Sequence, residues 1–261
     1  MTGEVPERIA AGVIGATRIR FGAVAIAELV ELDGLLVAIS NLPAPELNGA
    51  YVVREPTHPA SALANAEAEL AARGMTFGID IQAGRHPSVD VAVRAAGLEM
   101  ILLRPAMAVP VEELEPAQAP DGVTIQPIET SGDASALARV DAEAFEGDLE
   151  ISERFHAAGV VGVDGCRGFV AWEGGIPVGA GIAYEVVGTV GIYGVSVIPS
   201  ARRRGIGAAI TAVCARAFPD ADLAWLQASE MGLGMYEGLG FQRVADWEVW
   251  VRLRGSIRTE P

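Results

Sequence analysis

The period of the apolar positions changes in an orderly way along the second half of this chain. "VTIQPIE" alternates as a short strand from Val123, and "SGDASALARVDAEAF" then places Ala136, Leu137, Val140 and Phe145 on one helix face, with Ser131 or Asp133 as its cap. A second short helix is expected over Ser152–Ala158. Apolar runs at Phe169–Ala171 and Ile176–Val178 flank "EGG" and read as a hairpin. A third strand spans Val190–Ile198 and stops at Pro199. Helical spacing returns from Arg203 to Phe218, with Ile206, Ile210, Val213 and Ala217 on one face. "ADLAWLQAS" reads as a buried strand, "MGLGMYEGL" as a short helix and "FQRVADWEVWVRL" as a closing strand or strand pair. The order β-α-α-β-β-β-α-β-α-β describes a mixed α/β layer structure.

The first half runs in a parallel order. A helix at Pro6–Arg18 precedes strands at Ala25–Glu31, Leu35–Ser40 and Tyr51–Arg54. A helix at Ala60–Arg73, a strand at Phe77–Ile81, a helix at Ser88–Ala96 and a strand at Glu99–Met107 follow. This is the same succession without the opening strand, which points to an internal duplication. Between the halves lies "VPVEELEPAQAPDG", Val109–Gly122, rich in proline, acid and alanine and without apolar periodicity. It reads as a linker, so the expected domains are 1–115 and 116–261, with the boundary near Pro116.

Composition narrows the function classes. With 51% hydrophobic residues the chain has ample material for a core, and at 261 residues it leans towards two domains. A formal net charge of -15 argues against general affinity for nucleic acid or for an anionic membrane. Cys166 and Cys214 lie far apart without C-x-x-C spacing, and His58, His86 and His156 are scattered, so neither a disulfide framework nor a metal site is expected. The opening "MTGEVPERIAAGVIGATRIR" lacks a basic region ahead of an apolar run, and no apolar stretch approaches the roughly 20 residues of a membrane helix. A cytoplasmic protein is expected. The Ala/Gly/Val/Arg-rich, lysine-poor composition suits a high-GC bacterium.

Against that acidic background "VIPSARRRGIGAAI", Val197–Ile210, concentrates three arginines beside a Gly-x-Gly turn. A strand, a tight glycine turn and a helix N-terminus point several backbone N–H groups at one spot, which suits an anion. A Walker loop would need a lysine after the second glycine, and a dinucleotide-binding fingerprint a glycine or alanine where Ile210 stands. The segment "VSVIPSARRRGIGAAI" resembles the acetyl-coenzyme A pyrophosphate loop of the GNAT superfamily of N-acetyltransferases, whose pattern is Gln/Arg-x-x-Gly-x-Gly/Ala. "VAWEGGIPVGAGIAY" is similar to that family's central hairpin, and "LQASEMGLGMYEGLGFQRV" to its closing strand–helix–strand. The resemblance covers about Gly122 to Leu253 in four ordered segments.

The resemblance implies an α/β fold of two GNAT-like domains, each a mixed, mostly antiparallel central sheet flanked by helices. It implies acetyl-CoA as acetyl donor, with no metal. Val195, Ser196 and Val197 would carry the pantetheine arm on strand backbone. The amides of Arg203, Arg204, Gly205, Ile206, Gly207 and Ala208 would take the pyrophosphate, with the Arg202 or Arg204 side chain near the phosphates. Ser229 stands where the family often has an asparagine that contacts the coenzyme. Tyr236 would protonate the leaving thiolate. For the plainer readings, Arg203 and Arg204 stand equally as solvent-facing side chains, and Tyr236 as a packing residue. The base has only candidates: Glu185 and Tyr193 on the central strands, the acidic run Glu143, Glu146, Asp148 and Glu150, or a water relay. Cys166 has no histidine placed to activate it. The four tryptophans read as core or edge.

In the first half, "REPTHPASALANAEAEL" has prolines where the second has Arg-x-x-Gly-x-Gly, and proline offers no N–H. That copy is expected to be degenerate and without coenzyme, as in bacterial tandem members of the superfamily. The leading expectation is an N-acetyltransferase acting on a small-molecule amine, as a monomer or homodimer. From another class stands a non-catalytic acyl-CoA-binding sensor or protein-interaction scaffold.

Overall fold

The structure, a computed structural model, describes residues 4–253. In chain order its elements are α1 (Glu4–Gly22), β1 (Glu28–Glu31), β2 (Leu35–Ile39), β3 (Asn48–Val52), α2 (Pro59–Ala71), β4 (Gly78–Gln82), α3 (Pro87–Ala95) and β5 (Glu99–Pro110). The second half follows with β6 (Val123–Pro127), α4 (Ser131–Phe145), α5 (Leu149–Ser152), β7 (Cys166–Glu173), β8 (Ile176–Val186), β9 (Thr189–Val197), α6 (Ile206–Ala215), β10 (Leu223–Gln227), α7 (Leu233–Gly238) and β11 (Gln242–Val251). This is the succession that the periodicity predicts, including the hairpin turn at Gly174 and Gly175, whose φ of 56° and 81° make a tight primed turn. The helix caps and ends differ. Thr130, not Ser131 or Asp133, caps α4: its hydroxyl accepts from the Asp133 amide at 3.2 Å while Asp133 accepts from the Thr130 amide at 3.0 Å. Helix α6 begins three residues later than Arg203, because Arg203 and Gly205 hold φ of 64° and 86°.

By packing, the chain forms two compact units, and the division is not the linear one expected at Pro116. The larger unit comprises the chain up to residue 25 together with 106–244; the smaller comprises 26–105 and the chain from 245 on. Strands β5 and β11 each cross the division. The segment read as a linker is packed rather than free. Its first residues complete β5, Leu114 is buried, the Leu114 carbonyl accepts from Arg216 Nη2 at 2.8 Å, and the Glu115 amide donates to the Leu239 carbonyl at 3.1 Å.

In the larger unit the strand order is β6-β7-β8-β9-β10-β5, antiparallel throughout except for β9 beside β10. Helix α6 packs against β7, β8 and β9, while α1 and α4 both pack against β8 and β9. Alternation along the strands sorts the faces. Gly179 and Gly181 meet Ile210 of α6, whereas Val186 of β8 meets Gly15 of α1. Trp225, 1% exposed, shows how closely α1 is seated. A Cβ on Gly12 of α1 would come within 2.7 Å of its ring, and one on Gly191 of β9 within 2.5 Å. The two glycines leave a slot for the indole, whose Nε1 donates to Thr189 Oγ1 at 3.1 Å.

In the smaller unit the order is β1-β2-β3-β4-β11, antiparallel except for β3 beside β4. Leu35, Val37 and Ile39 of β2 pack with Leu63 and Leu70 of α2, Val89 and Val93 of α3, and Trp250 of β11. The two sheets share one pairing pattern: a hairpin, a parallel neighbour and an antiparallel closing strand. In each, the closing strand comes from the other half of the sequence.

Residues 116–261 expressed alone would therefore lack α1 and the β5 strand of the larger unit, leaving β10 an open edge and Trp225 uncovered on the α1 side. The expected outcome is an aggregating or molten chain without the near-ultraviolet circular dichroism of the full protein. A soluble fragment with the full near-ultraviolet signal would contradict it.

Candidate functional site

Strand β9 follows β10 only from Thr189 to Ile192. On its other edge it stays paired with β8, but Ala180 faces Ser196 while Ile182 faces Tyr193, so residues 194 and 195 both stand opposite Gly181. This is a β-bulge, with Gly194 at φ 59°. The extra residue twists β9 away from β10 and opens a gap along Tyr193–Val197. Val195 and Val197 lie on the α6 side of the strand, near Gly181 and Gly207, whereas Ser196 pairs with Ala180 on the α1/α4 side.

A short 3-10 turn, Pro199–Ala201, carries the chain from β9 into the arginine loop. Gly205 is the N-cap of α6 and offers no side chain, so no side-chain acceptor engages the first amides of that helix. Those amides border a cavity of 580 Å³ lined by Val195, Ser196, Val197, Arg202, Arg203, Gly205, Ile206, Gly207, Ala208, Ser229 and Tyr236. The structure thus brings together at one cavity every coenzyme contact the resemblance implied except Arg204.

The three arginines have different fates. Arg204 makes a two-point ion pair with Glu173, at 2.9 and 2.6 Å, which holds the Glu173 carboxyl below its usual range. Arg202 donates from Nε to the Val197 carbonyl at 3.1 Å and from Nη2 to the Ala144 carbonyl at 2.7 Å. Two of its donors are thus taken by backbone carbonyls, although the residue also lines the cavity. Arg203 lines the cavity and has no hydrogen-bond or ion-pair partner among the described residues.

At the other end of the cavity Tyr236 is buried, its ring edge-on to Phe241 at 6.0 Å between centroids. A Cβ on Gly232 would come within 2.6 Å of that ring, so the turn before α7 can approach it only as glycine. Burial, and then the nearby Cys214, push the Tyr236 phenol up to about 12, so it stays protonated at neutral pH. The Ser196 hydroxyl is buried, in a residue only 3% exposed, and has no partner among the described residues.

The candidate bases lie elsewhere. Glu185 accepts from the Gly188 amide at 2.9 Å in the β8–β9 turn and stands opposite Val190. Five residues of strand, roughly 17 Å at about 3.4 Å each, separate that point from Val195. Glu185 is thus corrected from candidate base to turn residue. Asp148 caps α5 by accepting from Glu150 at 2.8 Å, Glu150 pairs with Arg154, and Glu143 and Glu146 are exposed. Tyr193 packs between Tyr184 and Trp225. Among the described residues no carboxylate lines the cavity. Burial pushes the Cys166 thiol up to about 12, which leaves it a neutral core residue.

Two exposed apolar side chains line the site. Phe145, read as a core position of α4, is 58% exposed and lines the cavity, as does Met231, 78% exposed, in the turn before α7. Helical spacing could not reveal Phe145, because at the last residue of α4 the chain turns off through Glu146 at φ 54°.

Comparison with known proteins bears on this geometry. Residues 164–243, which hold β7 to β10, the arginine loop and Tyr236, match the model of the acetyltransferase (GNAT) domain. A GCN5-related N-acetyltransferase from Kribbella flavida is similar over 96% of this chain and 96% of its own, with a TM-score of 0.75 and 21% identity. A tandem GNAT protein from the clavulanic acid biosynthesis pathway is similar over 93% of this chain and 87% of its own, with a TM-score of 0.64 and 17% identity. A GCN5-related N-acetyltransferase from Sphaerobacter thermophilus is similar over 84% and 76%, with a TM-score of 0.59 and 17% identity. At these identities the likeness is one of fold. No curated protein matches the chain. Residues 164–243 are thus similar to the GNAT acetyltransferase domain, and the fold around them is similar to that of a tandem GNAT protein.

Proposed function

We propose that the larger unit transfers an acetyl group from acetyl-CoA to the amine of a small molecule by direct attack. One observation carries this reading: a single cavity joins the uncapped N-terminus of α6 to the buried, protonated phenol of Tyr236. The first end suits a pyrophosphate, through amides, helix polarity and the unpaired Arg203. The second suits a leaving thiolate. Between them the opened edge of β9 supplies backbone for the pantetheine arm, and an amide near Val195 would donate to the carbonyl oxygen as it gains charge. The amine nitrogen bonds to the acetyl carbon, the carbon–sulfur bond breaks, and Tyr236 gives its proton to the sulfur. With no carboxylate on the cavity wall, the proton lost by the ammonium form leaves through water.

In the smaller unit the loop after β3 stands at the same topological place, and Pro56 and Pro59 remove amides from it. There the Glu55 carboxylate accepts from the Ser88 amide at 3.0 Å and contacts His86 Nδ1 at 3.0 Å. The loop leads into α2, the counterpart of α6, where the internal carboxylate of Asp33 accepts from the amide of the N-cap residue His58 at 2.9 Å; this supports the reading of this copy as coenzyme-free. The cavity without a base also supports a second reading, an acyl-CoA-binding sensor without turnover.

Calorimetric titration with acetyl-CoA tests the coenzyme reading. The expected result is one equivalent bound per chain, lost in a Gly205→Glu, Gly207→Glu variant. Arg203→Ala should weaken binding by about tenfold and Arg204→Ala by less than about twofold, since only Arg203 is unpaired. Equal losses for the two arginines would refute the assignment of the free guanidinium.

Tyr236→Phe separates enzyme from sensor. It should lower kcat by about 10²- to 10⁴-fold with coenzyme affinity unchanged. Because the phenol is raised above its ordinary 10.0, its proton is retained as pH rises, and kcat in the native protein should show no descent from this group up to pH 10.0. Unchanged turnover in Tyr236→Phe would remove it from the chemistry.

A further inference from the structure

We infer that Arg202 is a positioning residue that ties the arginine loop to the end of α4, and is not a phosphate ligand. The inference rests on the coenzyme reading of the cavity. It starts from the opened edge of β9. The Ile198 amide donates to the Val178 carbonyl at 3.1 Å, towards β8. In a trans peptide the Val197 carbonyl must point the opposite way, into the gap that β10 has vacated. A strand carbonyl without a ladder neighbour needs another donor, and Arg202 Nε provides it at 3.1 Å.

The same guanidinium reaches a second orphan. Ala144 lies in the last turn of α4, where carbonyls have no N–H four residues on, and its oxygen takes Arg202 Nη2 at 2.7 Å. A cation there also meets the negative end of the helix dipole. Ala144 and Phe145 line the cavity on the α4 side, so what Arg202 holds in place is part of the cavity wall. One turn earlier, Asp141 accepts from the Ser152 hydroxyl at 2.6 Å, which fastens α5 to the same stretch of helix.

The planar fork of arginine suits this task. Nε and Nη2 are held at a fixed separation in one plane and meet two carbonyls from different elements, a geometry that the point charge of lysine does not reproduce. With Nε and an Nη2 donor committed to carbonyls, the guanidinium cannot turn towards a phosphate without giving up the tie, and only its remaining donors would be open to one. The loop is therefore coupled mechanically to α4: ordering of the loop by a bound coenzyme firms the wall on the α4 side, which Ala144 and Phe145 form.

The test uses the full chain, with coenzyme A as probe. Arg202→Lys and Arg202→Gln are compared with the native protein by calorimetry and by hydrogen exchange of the segment 142–147, with exchange in β7 and β8 as the check on folding. The expected result is coenzyme A affinity within about threefold of native. Exchange in 142–147 should be at least about tenfold faster, with β7 and β8 unchanged. In the native protein coenzyme A should further slow exchange in 142–147, and in both variants that response should vanish. A merely structural tie would speed exchange without abolishing the response, and would overturn the coupling. A loss of coenzyme A affinity beyond about tenfold would make Arg202 a phosphate ligand and overturn the inference outright. If the native protein binds no coenzyme A, the coenzyme reading falls instead, and unchanged exchange in the variants would then dispose of the tie as well.

Discussion

The site depends on one backbone event, the parting of β9 from β10 after Ile192. A parallel neighbour normally satisfies a strand along its whole edge, and here it does so for four residue pairs before the bulge at Gly194 turns β9 aside. Everything chemical about the larger unit sits in the space this opens. The α6 N-terminus faces it, α7 brings Tyr236 to its far side, and the carbonyl of Val197 projects into it. Closing that gap would satisfy more backbone but leave no cavity. Beside the gap the buried Ser196 hydroxyl has no partner among the described residues; the other buried side-chain atoms in that state, on His86, Ser88, Asp90 and Arg104, lie in the smaller unit.

Charge is handled locally. A chain with a net charge of -15 repels a polyanion at long range, and screening limits that repulsion to about a Debye length, roughly 8 Å at physiological salt. Within that distance the balance reverses. The first turn of α6 offers amides and the positive end of its dipole, and Arg203 adds one unpaired cation. Of its neighbours in sequence, Arg204 is neutralised by Glu173 and Arg202 is held by two carbonyls. Of three consecutive arginines one is thus neutralised, one keeps its charge but has two donors held by carbonyls, and Arg203 alone has all its donors open, because adjacent loop residues point in different directions and meet different partners.

The fold was legible where it rests on local rules. Period-two and period-3.6 patterns located the elements in order, Gly174–Gly175 announced the hairpin, and the turn glycines with the strand before them marked the loop that borders the cavity. Tyr236 was singled out only by the family resemblance, and the structure places it on the wall of the same cavity. What escaped has a common cause. The base candidate Glu185 lies on the right strand pair but at the wrong end, since residue type says nothing of distance along a sheet. Phe145 obeys helical spacing, yet it ends its helix and so has no core above it.

The amino-acid sequence by itself determined the elements, their order, the glycine positions that permit positive φ, and the acidic balance, because each depends on near neighbours or on composition alone. The tertiary structure decided which strand closes which sheet, that α1 lies over Trp225 in the unit containing the second half of the chain, and which arginine stays free. Those outcomes depend on partners far apart in the chain, such as Gly12 and Trp225 or Arg202 and Ala144. No local pattern encodes a contact whose two sides are specified more than fifty residues apart; only packing brings them together.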